Sequence, residues 1–174
     1  VGQIDGDLNV RRIGDVMDEP GHKYAFLYSL ADPTYEDEFR FSTAGKLMAL
    51  AGFSDRKAMN AEELKTSKHI IDNVILRINK KKEMEWSPFY NIGVEHPLLT
   101  NLAGKFSDYL FDAFYTFARQ HCTKGYPLLI GGGCGLNCEW NTKWRNAGLF
   151  EDVFVPPVAN DTGSAIGTAV DSQH

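Results

Sequence analysis

Pro127-Leu128-Leu129-Ile130-Gly131-Gly132-Gly133-Cys134-Gly135-Leu136-Asn137 opens the last part of the chain in a grammar of its own. A short apolar run reads as a buried strand, and glycines follow it at once. Asn137 to Asn146 reads as a helix that Gly148 stops. Asp152-Val153-Phe154-Val155 is a second short strand, closed by Pro156-Pro157. Thr162 to Val170 reads as a final helix rich in small residues. Strand, glycines, helix, strand, helix is the α/β order, which implies parallel strands joined by a crossover.

Upstream the pattern is mostly helical. Leu98 to His121 carries Leu99, Leu102, Phe106, Leu110, Ala113 and Phe117 at steps of three or four, a buried stripe. Ala61 to about Asn79 is expected to be a helix with Leu64, Ile71, Ile75 and Ile78 on its inner side. Lys80-Lys81-Lys82 would complete it as a solvated basic end. Ser42 is placed to N-cap a helix through Ala51, with Gly52 as its stop. Gly21 to Leu30 is a further helix, ended by Asp32-Pro33. Glu83 to His96 is irregular and aromatic, either a loop packed by its own rings or one facing a substrate. At the start, Ile4-Asp5-Gly6 with Leu8 and Val10 reads as a hairpin around a type I′ turn. A chain that opens in mid-hairpin is expected to be a fragment or one side of a larger domain.

Composition narrows the class. Hydrophobic residues make 43% of the 174 and charged residues 24%, which excludes a disordered or collagenous chain. A net charge of −5 disfavours broad nucleic-acid binding. No apolar run approaches a membrane span, and no signal peptide is visible, so a cytoplasmic protein without membrane contact is expected. Cys122, Cys134 and Cys138 are too few and wrongly spaced for a zinc site or a disulfide framework. Cys134 and Cys138 then read as small apolar residues at a strand-to-helix junction.

Two motifs carry chemistry. Glycines between a strand and a helix let backbone approach a ligand, and the helix N-terminus suits phosphate. Gly131, Gly132, Gly133 and Asn137 are therefore candidate nucleotide contacts. The competing reading is a tight turn, with Asn137 satisfying its polar groups. No Lys follows in Walker spacing, and the dinucleotide glycine pattern is absent. The second motif is Pro157-Val158-Ala159-Asn160-Asp161-Thr162-Gly163-Ser164-Ala165-Ile166-Gly167. Asp161 follows a strand and precedes a helix, where α/β domains bind ligands. It could equally be an N-cap. Gly163 and Gly167 allow close packing or close ligand approach.

Read together, the glycine loop, the Trp140-Asn141…Trp144-Arg145 helix and the Pro156-to-Gly167 stretch resemble the antibiotic O-carbamoyltransferase family, especially enzymes acting on cephem or ansamycin hydroxyls. Ser42-Thr43-Ala44-Gly45-Lys46-Leu47-Met48-Ala49-Leu50-Ala51 resembles a further family stretch, so the likeness covers nearly the whole chain. It implies an actin-like ATPase fold, of which residues 1–174 would be the C-terminal part with a short parallel sheet and packed helices. It implies a carbamoyl group passed from carbamoyl adenylate, made from carbamoyl phosphate and ATP, to an alcohol of a natural product. Ferrous iron would be the metal, held by Asp161 as catalytic ligand together with two histidines. Lys46, Gly131, Gly132, Gly133, Asn137 and Gly163 would bind the nucleotide, although Lys46 also reads as a surface lysine. The family's paired histidines and its adenylate-forming YrdC-like domain have no counterpart here, so the missing N-terminal part and that domain are expected partners. Asn160 stands where the family has Gly. The rival readings are a sugar-type kinase of the same superfamily and a non-catalytic nucleotide-binding fragment.

Overall fold

A twelve-residue helix, α1 (Pro20–Ala31), is buried along nearly its whole length. In this computed structural model, which describes residues 1–35, 42–74 and 81–172, every side chain from His22 to Ala31 is buried. Pro20 starts the helix, where a missing N–H costs nothing. Burial on all sides, rather than on a Tyr24-Leu27-Tyr28 face alone, marks a central helix. Three of the polar groups it buries are hydrogen-bonded internally. The Ser29 hydroxyl donates to Ala25 O, Tyr24 to Ser107 Oγ at 2.7 Å, and the Lys23 ammonium to Val74 O at 3.0 Å. Burial pushes that ammonium below its ordinary pKa, against the pull of Asp18, Glu19 and Asp72.

The chain divides into two compact units, Asp15–Phe114 and Val1–Gly14 with Tyr115–His174. The first holds α1, α2 (Thr43–Ala51), α3 (Ala61–Asn73) and the opening turns of the long helix α4 (Pro97–His121). Leu99, Leu102, Phe106 and Leu110 of α4 have no exposed surface, as the stripe predicts. The Tyr24 ring meets Phe106 edge-on at 5.8 Å. Ser42 occupies the N-cap position of α2, yet its side chain makes no capping bond.

Helix α3 departs from expectation in its rotation. Its inner face is Glu63, Thr66, Ser67 and Ile70, while Leu64 is 45% exposed. The cause lies at its start. Asn60 Oδ1 accepts from the Glu63 N–H, and Glu63 Oε2 accepts from the Asn60 N–H, a reciprocal capping box. The same carboxylate takes the Lys105 ammonium at 2.9 Å. Glu63 is thereby turned inward, and the neighbouring Leu64, a hundred or so degrees round the helix, is turned out. Ile75, Ile78 and Lys80 lie outside the described residues. The basic run is also not a solvated helix end: Lys81 is buried and donates to the carbonyls of Asp32 and Tyr35.

The Glu63–Lys105 pair predicts a clear stability effect. Both side chains are more than nine-tenths buried. Lys105→Met removes the cation and strands the carboxylate, which should cost about 3 kcal/mol. Glu63→Gln with Lys105→Met together should cost less than Lys105→Met alone. Thermal melts of the three variants check this order.

The second unit begins with the hairpin β1 (Gly2–Ile4) and β2 (Val10–Arg12), in register Gly2↔Arg12. Its loop spans Asp5 to Asn9, longer than a type I′ turn. It is organised by the Asp5 carboxylate, which accepts from the N–H groups of Asp7 and Asn9 and from Asn9 Nδ2. Those bonds, the Asn9 backbone first, lower the Asp5 pKa. Further on, β3 (Leu128–Leu129) pairs in parallel with β4 (Val153–Phe154), and α5 (Cys138–Asn146) connects them. Trp140 and Trp144 are the buried anchors of α5. Helix α6 (Gly163–Asp171) follows, with no buried residue. The architecture is α/β, with the strand-helix-strand order expected. No helix among the described residues is long and apolar enough to cross a membrane.

Candidate functional site

Both motifs fall in the second unit, each on a loop leaving the C-terminal end of a parallel strand. That is the side on which open α/β sheets bind ligands. After β3 the chain runs through Gly131, Gly132 and Gly133, all exposed. Gly132 has φ +80°, a conformation only glycine adopts without strain. Among the described residues, adjoining chain neighbours apart, no heavy atom lies within 4 Å of where a Cβ would sit on Gly131, Gly132 or Gly133. The backbone therefore borders open space at these three positions.

From Gly133 to Leu136 the loop tightens into a 3₁₀ turn. Asn137 then N-caps α5, its Oδ1 accepting the Trp140 N–H at 3.1 Å. It is buried, so its carbonyl oxygen serves the helix start. The Cys134 thiol is pushed up in pKa by burial, which disfavours the thiolate and fits a packing role. Cys138, exposed, directs its thiol toward Leu136 O at 3.8 Å.

The second loop turns back at Ala159, which is buried, and presents Asn160 and Asp161 to solvent. Asp161 holds the start of α6 with its backbone: Asp161 O accepts from Ser164 N at 3.1 Å and from Ser164 Oγ at 2.6 Å. Thr162, not Asp161, occupies the N-cap position. The Asp161 carboxylate takes no hydrogen bond or ion pair among the described residues. The capping alternative is thus not realised. Gly163 has a packing reason to be glycine, since a Cβ there would meet Val158 O at 2.1 Å. Gly167 has open space at the same position.

Sequence reasoning missed what joins the loops. Gly135 is buried, and a Cβ on it would lie 2.8 Å from Ala159 Cβ and 3.2 Å from Val155 Cγ1. Asn141 Nδ2 donates to Gly135 O at 2.8 Å. The glycine that interrupts Cys134 and Leu136 was the one available signal. Lys46 belongs to the first unit, where it is exposed on α2 with its ammonium 5.6 Å from the Tyr28 ring centre.

A metal fits this arrangement only in part. Among the described residues no three His, Cys, Asp or Glu side chains converge as a metal site requires. Asp161 offers one carboxylate, and one carboxylate does not hold a ferrous ion.

A parallel strand pair with a loop leaving the C-terminal end of each strand makes this an α/β protein. Its sequence has relatives. Residues 117–170, which contain both loops, match the family described as Carbamoyltransferase N-terminus. Over 172 residues the chain is 43% identical to the 3'-hydroxymethylcephem-O-carbamoyltransferase of Amycolatopsis lactamdurans, covering 97% of this chain and 33% of that protein. It is 40% identical to the enzyme of the same name from Streptomyces clavuligerus, with the same coverages. A 42-residue stretch is 64% identical to nodulation protein U of Bradyrhizobium diazoefficiens, 24% of this chain and 7% of that protein. The chain thus spans about a third of the length of the cephem relatives. The resemblance read from the two motifs stands.

Proposed function

We propose that these residues form the transfer-site part of an O-carbamoyltransferase acting on a hydroxyl of a natural product, within a polypeptide of the length of its relatives. The observation that carries this is the pairing of an open glycine loop with an unengaged carboxylate, inside the stretch that matches carbamoyltransferases. Near-complete coverage by two cephem O-carbamoyltransferases supports the hydroxyl acceptor.

The donor in this reading is carbamoyl adenylate, made from carbamoyl phosphate and ATP elsewhere in the polypeptide. The acceptor oxygen attacks the carbamoyl carbon, the bond to the AMP phosphate breaks, and the hydroxyl proton leaves with the departing phosphate or to water. The backbone along Gly131–Gly133 has the space to take the phosphate or ribose and hold it against movement. Lys46 lies in the first unit, and its assignment as a phosphate-neutralising point cation rests on the family resemblance alone. Asn137 is assigned indirectly, by fixing the α5 start beside the loop. Gly163 keeps the Asp161 loop close to Val158. Asp161 is assigned as one ligand of a divalent ion, ferrous iron in this reading, which would need further ligands besides this carboxylate. Such an ion would supply Lewis-acid polarisation.

The test is product analysis on the full-length enzyme. Release of AMP together with a carbamoylated alcohol, dependent on carbamoyl phosphate, supports the reading. ADP release with phosphorylated alcohol overturns it in favour of a kinase. The loop is tested by Gly131→Ala and Gly133→Ala, which add a methyl at positions without positive φ and, among the described residues, without contacts beyond the adjoining chain. Both should raise the nucleotide KM about tenfold with the melting temperature unchanged. Gly132→Val is a poorer probe, because its backbone conformation strains any side chain. Unchanged KM in both alanine variants would remove the loop from the nucleotide.

A further inference from the structure

We infer that Gly135, Ala159 and Asn141 form a joint that sets the spacing between the glycine loop and the Asp161 loop, and that this spacing determines how efficiently the carbamoyl group reaches the acceptor. The inference rests on the transfer reading above and assigns positioning residues to it.

Three observations meet here. Gly135 lies two residues beyond the open glycines, and Ala159 two before Asp161. The two loops touch through these residues: a Cβ on Gly135 would come within 2.8 Å of Ala159 Cβ, so the contact closes only because one side lacks a methyl. Asn141, projecting from α5, donates to Gly135 O at 2.8 Å and pins the turn from its other side. The Asn141 Oδ1 is shielded and has no hydrogen-bond partner among the described residues. The side chain is therefore held for the donor it supplies.

The carbamoyl carbon must be attacked while its leaving group is held. If one loop holds the nucleotide and the other carries Asp161, a shift of an ångström between them misaligns attack without abolishing binding. The adenylate then reacts with water instead of the alcohol. The sensitive quantity is the coupling ratio, carbamoylated alcohol formed per AMP released. A merely structural defect lowers both products together and leaves that ratio unchanged.

The experiment measures this ratio in the full-length enzyme. Gly135→Ala should lower it about tenfold or more, the scale of an ångström misplacement. The double variant Gly135→Ala with Ala159→Gly moves the methyl across the contact and should recover most of it. Asn141→Asp, which replaces the donor by an oxygen facing Gly135 O, should lower the ratio without raising the acceptor KM. It also covers the case in which Gly135→Ala fails to fold. An unchanged ratio in Asn141→Asp, or a double variant no better than Gly135→Ala, overturns the joint while leaving the transfer reading intact. A wild-type enzyme that releases no AMP overturns both.

Discussion

Asp161→Asn in the full-length enzyme should reduce carbamoyl transfer by about a hundredfold or more and leave the melting temperature nearly unchanged. The side chain is exposed, and among the described residues its carboxylate bonds to nothing. The start of α6 is held by the Asp161 carbonyl, which Asn keeps. Nothing in the stability of this loop therefore rests on the charge. In the proposed reading, a carboxylate placed at the mouth of the sheet with no structural partner among the described residues acts on the ligand. Asn has the same shape and no charge, so it isolates that contribution. Bound iron, measured in the purified variant beside its turnover, separates the two roles the charge can have. Loss of metal with loss of transfer is the expected result. Turnover and metal both near wild type would make Asp161 an ordinary surface residue. A fall of many degrees in the melting temperature would make it a structural one.

Gly104→Ala should destabilise the protein by about 2–3 kcal/mol, the reverse of the usual sign. In an exposed helix interior, glycine to alanine gains up to about 1 kcal/mol. Gly104 sits inside α4, but a Cβ there would lie 2.2 Å from Ser54 Cβ, 2.6 Å from Ser54 Oγ and 2.7 Å from Arg56 Nε. Those side chains are not free to withdraw. Ser54 Oγ donates to Asn101 O at 2.8 Å, and Arg56 donates to Gly104 O, Ala51 O and the Asp108 carboxylate. The methyl would displace the loop that fastens the end of α2 to α4. The melting temperature checks the prediction. A stabilised Gly104→Ala would show that the loop yields without cost.

How much of this was legible beforehand differs by residue. The α4 stripe is legible through Leu110 because a 25-residue helix repeats its signal many times. The strand-glycine-helix-strand order was equally plain, since Leu128, Leu129, Val153 and Phe154 are bounded by glycines and prolines. The rotation of α3 was not legible from its apolar residues. Leu64 and Ile71 looked like its inner face, but a capping box and a buried ion pair outweigh one exposed leucine. Asn60 and Glu63 stood in the sequence at the capping spacing, whereas Lys105 lies 42 residues away from Glu63. Lys81 read as solvated because its two carbonyl acceptors are supplied by residues 46 and 49 positions earlier.

The sequence by itself determined the local pieces of the candidate site. A strand followed by three glycines and a helix that Asn137 caps is decided by residues within hydrogen-bond reach along the chain, and so is the turn before α6. The likeness to carbamoyltransferases came from the same local motifs. Only the tertiary structure decided that Gly135 meets Ala159 and that no partner among the described residues reaches the Asp161 carboxylate. The reason is physical. Caps, turns and helix stripes are contacts between near neighbours, which spacing encodes. Whether a methyl fits between two loops, or a carboxylate is left without a partner, depends on atoms that the fold alone brings within a few ångströms.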